Sequence, residues 1–146
     1  MGRLFTSNPN GLKNLNEEAE IWQITRAGVL IPGAVLVRGL SPSENLFNRY
    51  LNEWKQVPPE EWWPEYEKDF LQEMEGEEKL NCLRTLFKVL QSGKNVVLLC
   101  LCKDARYCHR RLVGDFFKQH KIEVVELNPV KSETTKPQQQ TIFEMG

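Results

Sequence analysis

The stretch LLCLCKDARYCHRR at residues 98–111 gathers side chains that could carry out chemistry. Three cysteines and a histidine offer nucleophiles, proton carriers and soft metal ligands, and three arginines add positive charge. Such a stretch can be a thiol-dependent active site, an anion-binding loop, a metal site or an ordinary strand-to-helix turn. The spacing of its residues separates these alternatives.

Cys108 is the candidate nucleophile and His109 the candidate proton carrier. At the predicted first turn of a helix, beside two arginines, a Cys108 thiolate would be stabilised, so we expect it to be the most reactive thiol. Adjacent residues on a helix point about a quarter-turn apart, however, so the two do not form an evident Cys–His dyad. The alternative is that both side chains brace the start of the helix.

Cys100 continues an apolar run and is predicted to be a packed core cysteine, in which burial keeps the thiol inert. Cys100 and Arg106 nevertheless have the C-x5-R spacing. Cysteine-dependent phosphatases and the related rhodanese loop use this layout after a strand to hold an oxyanion. The residues between them include no glycine, whereas those loops carry glycine so that backbone N–H groups can turn inward.

The basic residues of the stretch predict an anion site. The N-terminus of a helix that follows a strand offers free N–H groups and a partial positive charge. Guanidinium groups also match phosphate and carboxylate oxygens in pairs. The expected ligand is a small anionic or nucleotide-like molecule, or a nucleic-acid end. The candidate anion-binding residues are Arg110, which we expect to be partly exposed, with Arg106, Arg26 and Lys103.

A metal site is the remaining alternative for this stretch. Cys100, Cys102, Cys108 and His109 are ligand types that suit a Cys3His zinc site. Their spacing departs from the usual pairs of ligands with two to four residues between them. We therefore rank zinc below the anion site and predict no metal and no cofactor.

The elements around the stretch predict an α/β fold. Residues 95–102 (NVVLLCLC) suit a strand that is covered on both faces, as in a parallel sheet. Ser41 and Glu44 form a capping box for a helix that runs to about residue 55, after which VPPEEWWP breaks the helix. Asp104 can cap the helix that follows. The other predicted elements are strands at 3–6, 21–25 and 122–127, and helices around 66–74 and 80–90.

Helix, strand, helix and strand follow one another in the second half, which indicates right-handed crossovers. We predict a single three-layer α/β domain over residues 1–128, with a small, mostly parallel sheet flanked by helices. Residues 129–146 are predicted to be a polar, mobile tail. The tryptophans could stack bases, but aromatic residues at helical spacing are more often core.

Composition limits the partners. The 146-residue chain has a formal net charge of −1, so a nucleic-acid partner is possible but not favoured by charge. No apolar run approaches the roughly 20 residues of a membrane span, and no membrane association is expected. Four cysteines, three of them crowded together, do not resemble a disulfide framework, so we expect a cytoplasmic protein. The oligomeric state is left open.

The stretch VVLLCLCKDARYCHRRLV, a strand followed by C-x7-C-H-R and a helix, resembles the C-terminal signature of the domain-of-unknown-function 488 family. The segments FTSNPNGLKNL, IWQIT with the following arginine, LSPS and the aromatic helix around Trp63–Phe70 fit the same family, so the resemblance extends to about Leu127. It implies a compact cytoplasmic α/β domain with no agreed general activity.

The resemblance also implies which positions matter. Many family members carry an acidic residue where this chain has Cys102. The matching site positions are Cys100, Cys108, His109 and Arg110, with Ser41 and Ser43 as further candidates for ligand binding.

Overall fold

The computed structural model describes residues 1–130, so residues 131–146 of the predicted tail lie outside the described residues. The strands are β1 Leu4–Ser7, β2 Glu20–Gln23, β3 Ala34–Leu36, β4 Val96–Leu99 and β5 Val124–Glu126. The α-helices are α1 Glu44–Arg49, α2 Pro59–Glu73, α3 Glu77–Gln91 and α4 His109–Gln119. A π-helical turn, Tyr50–Trp54, extends α1, and three short 3-10 helices are Pro9–Asn14, Arg38–Leu40 and Ala105–Tyr107.

The five strands form one parallel sheet in the order β3-β2-β4-β1-β5. β4 lies at the centre and all four of its residues are buried, as its unbroken run of valine and leucine predicts. Because the strands are parallel, the residues that follow β1, β2 and β4 meet at one edge of the sheet. The prediction of a single α/β domain is confirmed.

The two faces of the sheet are covered differently. All four α-helices pack on one face, where Leu98 and Trp22 of the sheet share a core with Phe70, Leu86 and Phe117 of the helices. The opposite face is a smaller cluster around Phe5 and Val97, against which Leu12 of a 3-10 helix packs. The third layer is therefore a short 3-10 segment. Within residues 1–130, none of the helices has the length and apolar character needed to cross a bilayer.

Three predicted helix starts differ from the structure. α1 begins at Glu44 and is capped by Ser43, whose Oγ accepts from the backbone N–H of Leu46 at 3.1 Å. Ser41, the predicted cap, instead donates to the carbonyl of Arg38 at 2.6 Å. α2 begins inside the predicted break, because Pro59 at the first helical position loses no hydrogen bond that the helix would otherwise make.

The third difference lies at the stretch singled out above. Asp104 caps the 3-10 turn Ala105–Tyr107, and α4 begins only at His109 with Cys108 as its N-cap residue. The loop between β4 and α4 is thus one turn longer than the sequence predicts.

Candidate functional site

The loop between β4 and α4 owes its shape to a contact between Asp104 and Arg106. The Asp104 carboxylate accepts from the backbone N–H of Arg106 at 2.9 Å, and from its Nε and Nη2 at 3.1 and 2.9 Å. These hydrogen bonds lower the pKa of Asp104 below its usual value. The closed turn brings Cys108 back toward Cys100.

The three cysteine sulfurs of the loop form one cluster. The Sγ atoms of Cys100, Cys102 and Cys108 all lie within 4.8 Å of one another, and those of Cys100 and Cys102 are 3.7 Å apart. Cys100 and Cys108 are buried, whereas Cys102 is an exposed residue whose sulfur faces the other two. All four cysteines of the chain are free thiols.

The sulfurs influence one another. A hydrogen bond with Cys102 lowers the pKa of Cys100, but the neighbouring Cys108 and burial outweigh it, so the net shift is upward. The hydrogen bond with Cys100 and burial raise the pKa of Cys102 to about 12, against an opposing contribution from Cys108. Cys100 and Cys102 are therefore protonated at neutral pH in the absence of a bound cation.

His109 contacts Cys100. Its Nε2 lies 2.6 Å from the carbonyl oxygen of Ile24, the residue that follows β2. A carbonyl can only accept, so Nε2 carries the proton and Nδ1 of the neutral ring has a free lone pair. Nδ1 lies 3.9 Å from the Sγ of Cys100, and the ring packs on Phe70. The sequence made Cys108 and His109 candidate nucleophile and proton carrier without an evident dyad, and in the structure the thiol that contacts His109 is that of Cys100.

Arg110 is fully buried, not partly exposed as expected. Its Nε and Nη2 donate to the two carboxylate oxygens of Glu126 at 3.0 and 3.1 Å. Its Nη1 donates to the carbonyl of Cys102 at 2.8 Å and lies 3.8 Å from the Sγ of Cys108. Burial lowers the pKa of Arg110, but Cys108 and Glu126 raise it by more, so the guanidinium stays charged. Arg110 thus joins the thiol cluster to the end of β5.

Glu126 was not singled out from the sequence. Its carboxylate also accepts from Oγ1 of Thr6 at 2.7 Å and from the backbone N–H of Asn128 at 3.0 Å. The one available signal was an acidic residue inside the otherwise apolar strand segment VVEL.

A cleft of about 300 Å³ opens above the thiol cluster. It lies at the carboxyl ends of β2 and β4, beside the N-terminus of α4, which is where open parallel sheets bind ligands. Arg26 and Lys103 line it, and Nε of Arg26 donates to the carbonyl of Pro42 at 3.0 Å. Within residues 1–130 neither Arg26 nor Lys103 forms an ion pair. Asp104 also lines the cleft, but its carboxylate is paired with Arg106, so Arg26 and Lys103 still add positive charge there.

One wall of the cleft is aromatic. Phe47, Tyr50 and Tyr107 are partly exposed there, and Trp62 and Tyr66 lie behind them. Trp62 stacks on Trp54 at 5.7 Å and donates from Nε1 to the carbonyl of Val57, so it is fixed in place. Burial raises the pKa of Tyr66 well above its usual value, so its hydroxyl remains a donor. Trp62 belongs to the part of α2 that the sequence assigned to a break.

A second, smaller concave surface lies on the other side of the loop. It has a volume of about 210 Å³ and includes Arg106 and Arg111. Arg106 pairs with Asp104 at 2.9 Å, and Arg111 pairs with Glu67 at 3.1 Å. Carboxylates thus offset the positive charge of this surface.

The family model for DUF488-N3a, described as the active DUF488-N3 subclade, matches residues 4–121. The chain belongs to the domain-of-unknown-function 488 family. No curated protein and no solved structure matches it.

The signature positions of this DUF488 chain have distinct surroundings. Cys100, Cys108 and His109 line the cleft, whereas Arg110 holds the loop from behind. Ser41 and Ser43 flank Pro42, which lines the cleft, but their hydroxyls are engaged elsewhere. Ser41 donates to the carbonyl of Arg38, and Ser43 donates to the carboxylate of Glu73.

Proposed function

We propose that this DUF488 chain binds a nucleotide-like ligand, a planar ring joined to a phosphate, in the cleft above the thiol cluster. The observation that carries the proposal is the composition of that cleft. One wall presents aromatic side chains, and the cations Arg26 and Lys103 outnumber Asp104, whose carboxylate is already paired with Arg106.

The aromatic wall supports the planar part of the ligand. Phe47, Tyr50 and Tyr107 each keep part of a ring exposed at the cleft, while buried neighbours hold them in position. Stacking of a base on an aromatic side chain contributes about 1–3 kcal/mol and does not depend strongly on which base is present. The cleft therefore suits a nucleobase without selecting one by stacking alone.

The charges support the anionic part. A hydrogen bond from Nε to the carbonyl of Pro42 fixes the Arg26 guanidinium, whose Nη1 and Nη2 can then donate to a ligand. Lys103 and the N-terminus of α4 lie along the same cleft and favour a phosphate there. A volume of about 300 Å³ is at the lower end of the range for small-molecule pockets. It suits one nucleotide, free or at the end of a strand, in a reducing cytoplasm where the thiols stay free.

Thermal unfolding with adenosine 5′-monophosphate, uridine 5′-monophosphate, adenosine and inorganic phosphate tests the proposal. A nucleotide should raise the melting temperature more than the nucleoside or the phosphate alone, because it engages both halves of the cleft. At about a hundredfold excess over the dissociation constant, binding adds about 2.7 kcal/mol to the stability.

Variants locate the effect. Arg26→Ala and Lys103→Ala should each weaken the nucleotide-dependent rise, whereas Lys118→Ala, on the second concave surface and away from the Asp104–Arg106 turn, should preserve it. A rise that persists in the Arg26→Ala, Lys103→Ala double variant and disappears in Lys118→Ala would assign the ligand to the second concave surface and overturn the proposal.

A second candidate function is catalysis by a cysteine thiol. The contact between Cys100 and His109 favours it, since Ile24 orients the imidazole with its Nδ1 lone pair toward the thiol. The description of the matching subclade as active also supports a catalytic role. In such a reaction Nδ1 takes the proton of Cys100 as its sulfur attacks the phosphorus of the nucleotide, the bond from phosphorus to the 5′-oxygen breaks, and the imidazole gives that proton to the departing nucleoside oxygen.

Intact-mass spectrometry with a stabilising nucleotide tests this second candidate. Thiol catalysis predicts a covalent adduct on Cys100. The adduct should be missing from the Cys100→Ala variant and present in the Cys82→Ser variant. Turnover of the nucleotide without any adduct in acid-quenched samples would contradict it.

A further inference from the structure

The geometry of the thiol cluster is that of a metal site. Zinc bonds to thiolate sulfur at about 2.3 Å, so tetrahedral coordination places two sulfur ligands about 3.8 Å apart. The sulfurs of Cys100 and Cys102 are 3.7 Å apart, and the widest pair with Cys108 is within 4.8 Å. A bound ion would require these sulfurs to move by less than about 1 Å.

His109 has the second feature of a metal site. A histidine that binds a metal through one ring nitrogen almost always donates its other N–H to a carbonyl or carboxylate, which fixes the tautomer. His109 donates from Nε2 to the carbonyl of Ile24, and its ring is buried against Phe70. Its Nδ1 lone pair lies 3.9 Å from the Sγ of Cys100, near the separation of about 3.6 Å expected between nitrogen and sulfur ligands of one zinc ion.

Arg110 places a positive charge beside the thiol cluster. Three thiolates exceed the charge of a divalent cation by one, and this excess is costly in a buried position. The buried Arg110 guanidinium lies 3.8 Å from the Sγ of Cys108 and donates to the carbonyl of Cys102. It holds two of the ligand residues in place and puts a cation, shared with the Glu126 carboxylate, beside the Cys108 sulfur.

We propose that Cys100, Cys102, Cys108 and Nδ1 of His109 bind one zinc ion at the floor of the cleft. Three sulfurs and one imidazole in a tetrahedral arrangement select zinc over magnesium, calcium or manganese, which prefer oxygen ligands. The spacing along the chain concealed the site, because the Asp104–Arg106 turn folds a C-x-C-x5-C-H sequence into a compact cluster.

The zinc ion would brace the loop that forms the cleft floor. The site does not depend on which ligand the cleft takes, and it excludes the thiol-nucleophile candidate because Cys100 would be a metal ligand.

Metal content of the full chain, purified without added metal or chelator, tests the site. Elemental analysis should find about one zinc ion per chain. Cys102→Ser should lower the zinc affinity by at least about tenfold, as should His109→Ala. Cys82→Ser is the matched control, since Cys82 lies on α3 away from the cluster, and it should retain the full metal content.

Cobalt substitution provides a readout that does not depend on how well a variant folds. Wild-type protein loaded with Co²⁺ should show the intense visible bands of tetrahedral cobalt and a thiolate-to-cobalt charge-transfer band. Less than about one zinc ion in ten chains after equilibration with micromolar Zn²⁺, together with no such bands, would overturn the site. Failure of the zinc site would leave the Arg26-dependent nucleotide effect in place, and failure of nucleotide binding would leave one zinc ion per chain.

Discussion

Arg110 and Glu126 form a bidentate ion pair behind the thiol cluster, with Nε–Oε1 and Nη2–Oε2 distances of 3.0 and 3.1 Å. The Arg110 side chain is fully buried and that of Glu126 is only 20% exposed. Because the third nitrogen of the guanidinium contacts the carbonyl of Cys102, this pair fixes the floor of the cleft relative to the sheet.

Arg110→Ala should destabilise the fold strongly. The substitution leaves the partly buried Glu126 carboxylate without a counter-charge and removes the hydrogen bond to the carbonyl of Cys102. Removing one partner of a buried ion pair costs about 3–5 kcal/mol of stability. Arg111→Ala, one residue along, is the matched control. The side chains of Arg111 and Glu67 are each about a third exposed, so their ion pair should contribute less than about 1 kcal/mol to stability. Urea denaturation of both variants measures the difference in the free energy of unfolding. Equal losses of stability in the two variants would contradict a structural role for the Arg110–Glu126 pair.

Gly114→Val should separate α4 from the sheet. A Cβ atom at Gly114 would lie 3.1 Å from Cγ1 of Val124 and 3.3 Å from Cγ2 of Thr6, so these neighbours must give way even before the two methyl groups of valine are added. Overpacking of this kind costs about 1–3 kcal/mol. Valine is a better helix former than glycine, so helix propensity does not account for a loss, and Gln119→Val, at an exposed position of the same helix, controls for placing valine in α4. Similar midpoints of urea unfolding for the two variants would show that the helix is free to shift.

Alkylation of metal-free protein by iodoacetamide should be slow at Cys108. The sequence indicated Cys108 as the most reactive thiol, but the structure leaves it only 1% exposed, so the reagent cannot reach its sulfur. Cys82 is partly exposed and should react at least as fast, although burial raises its pKa. Peptide mapping over time checks the order. Rapid labelling of Cys108 in the folded protein would mean that the loop opens.

The elements of the fold were largely predictable. The apolar run of β4 and the spacing of apolar residues in α3 and α4 are local signals, and the structure contains the strand and α3 close to the predicted bounds, while α4 begins about one turn later than predicted. The stretch at residues 98–111 also lies where a parallel sheet places its ligand site. Strand order was not predictable, because β4 pairs with strands more than 70 residues earlier in the chain.

The internal arrangement of the site was less predictable, because it depends on contacts made in three dimensions. Arg110 was assigned to an anion by its charge, and only the sheet order brings Glu126 of β5 beside it. The contact between His109 and Cys100 depends on the carbonyl of Ile24, the residue after β2, because this carbonyl orients the imidazole ring. The approach of the sulfurs requires the Asp104 turn, whereas the sequence placed Asp104 at the start of α4.

Changes in amide chemical shifts in ¹H–¹⁵N NMR spectra on addition of adenosine 5′-monophosphate test directly whether the cleft above the thiol cluster is the ligand site. The largest shifts should fall on residues 25–27, 47, 50, 100–104 and 107–109, which line that cleft. The largest shifts around Arg111, Asp115 and Lys118, on the second concave surface, would contradict it.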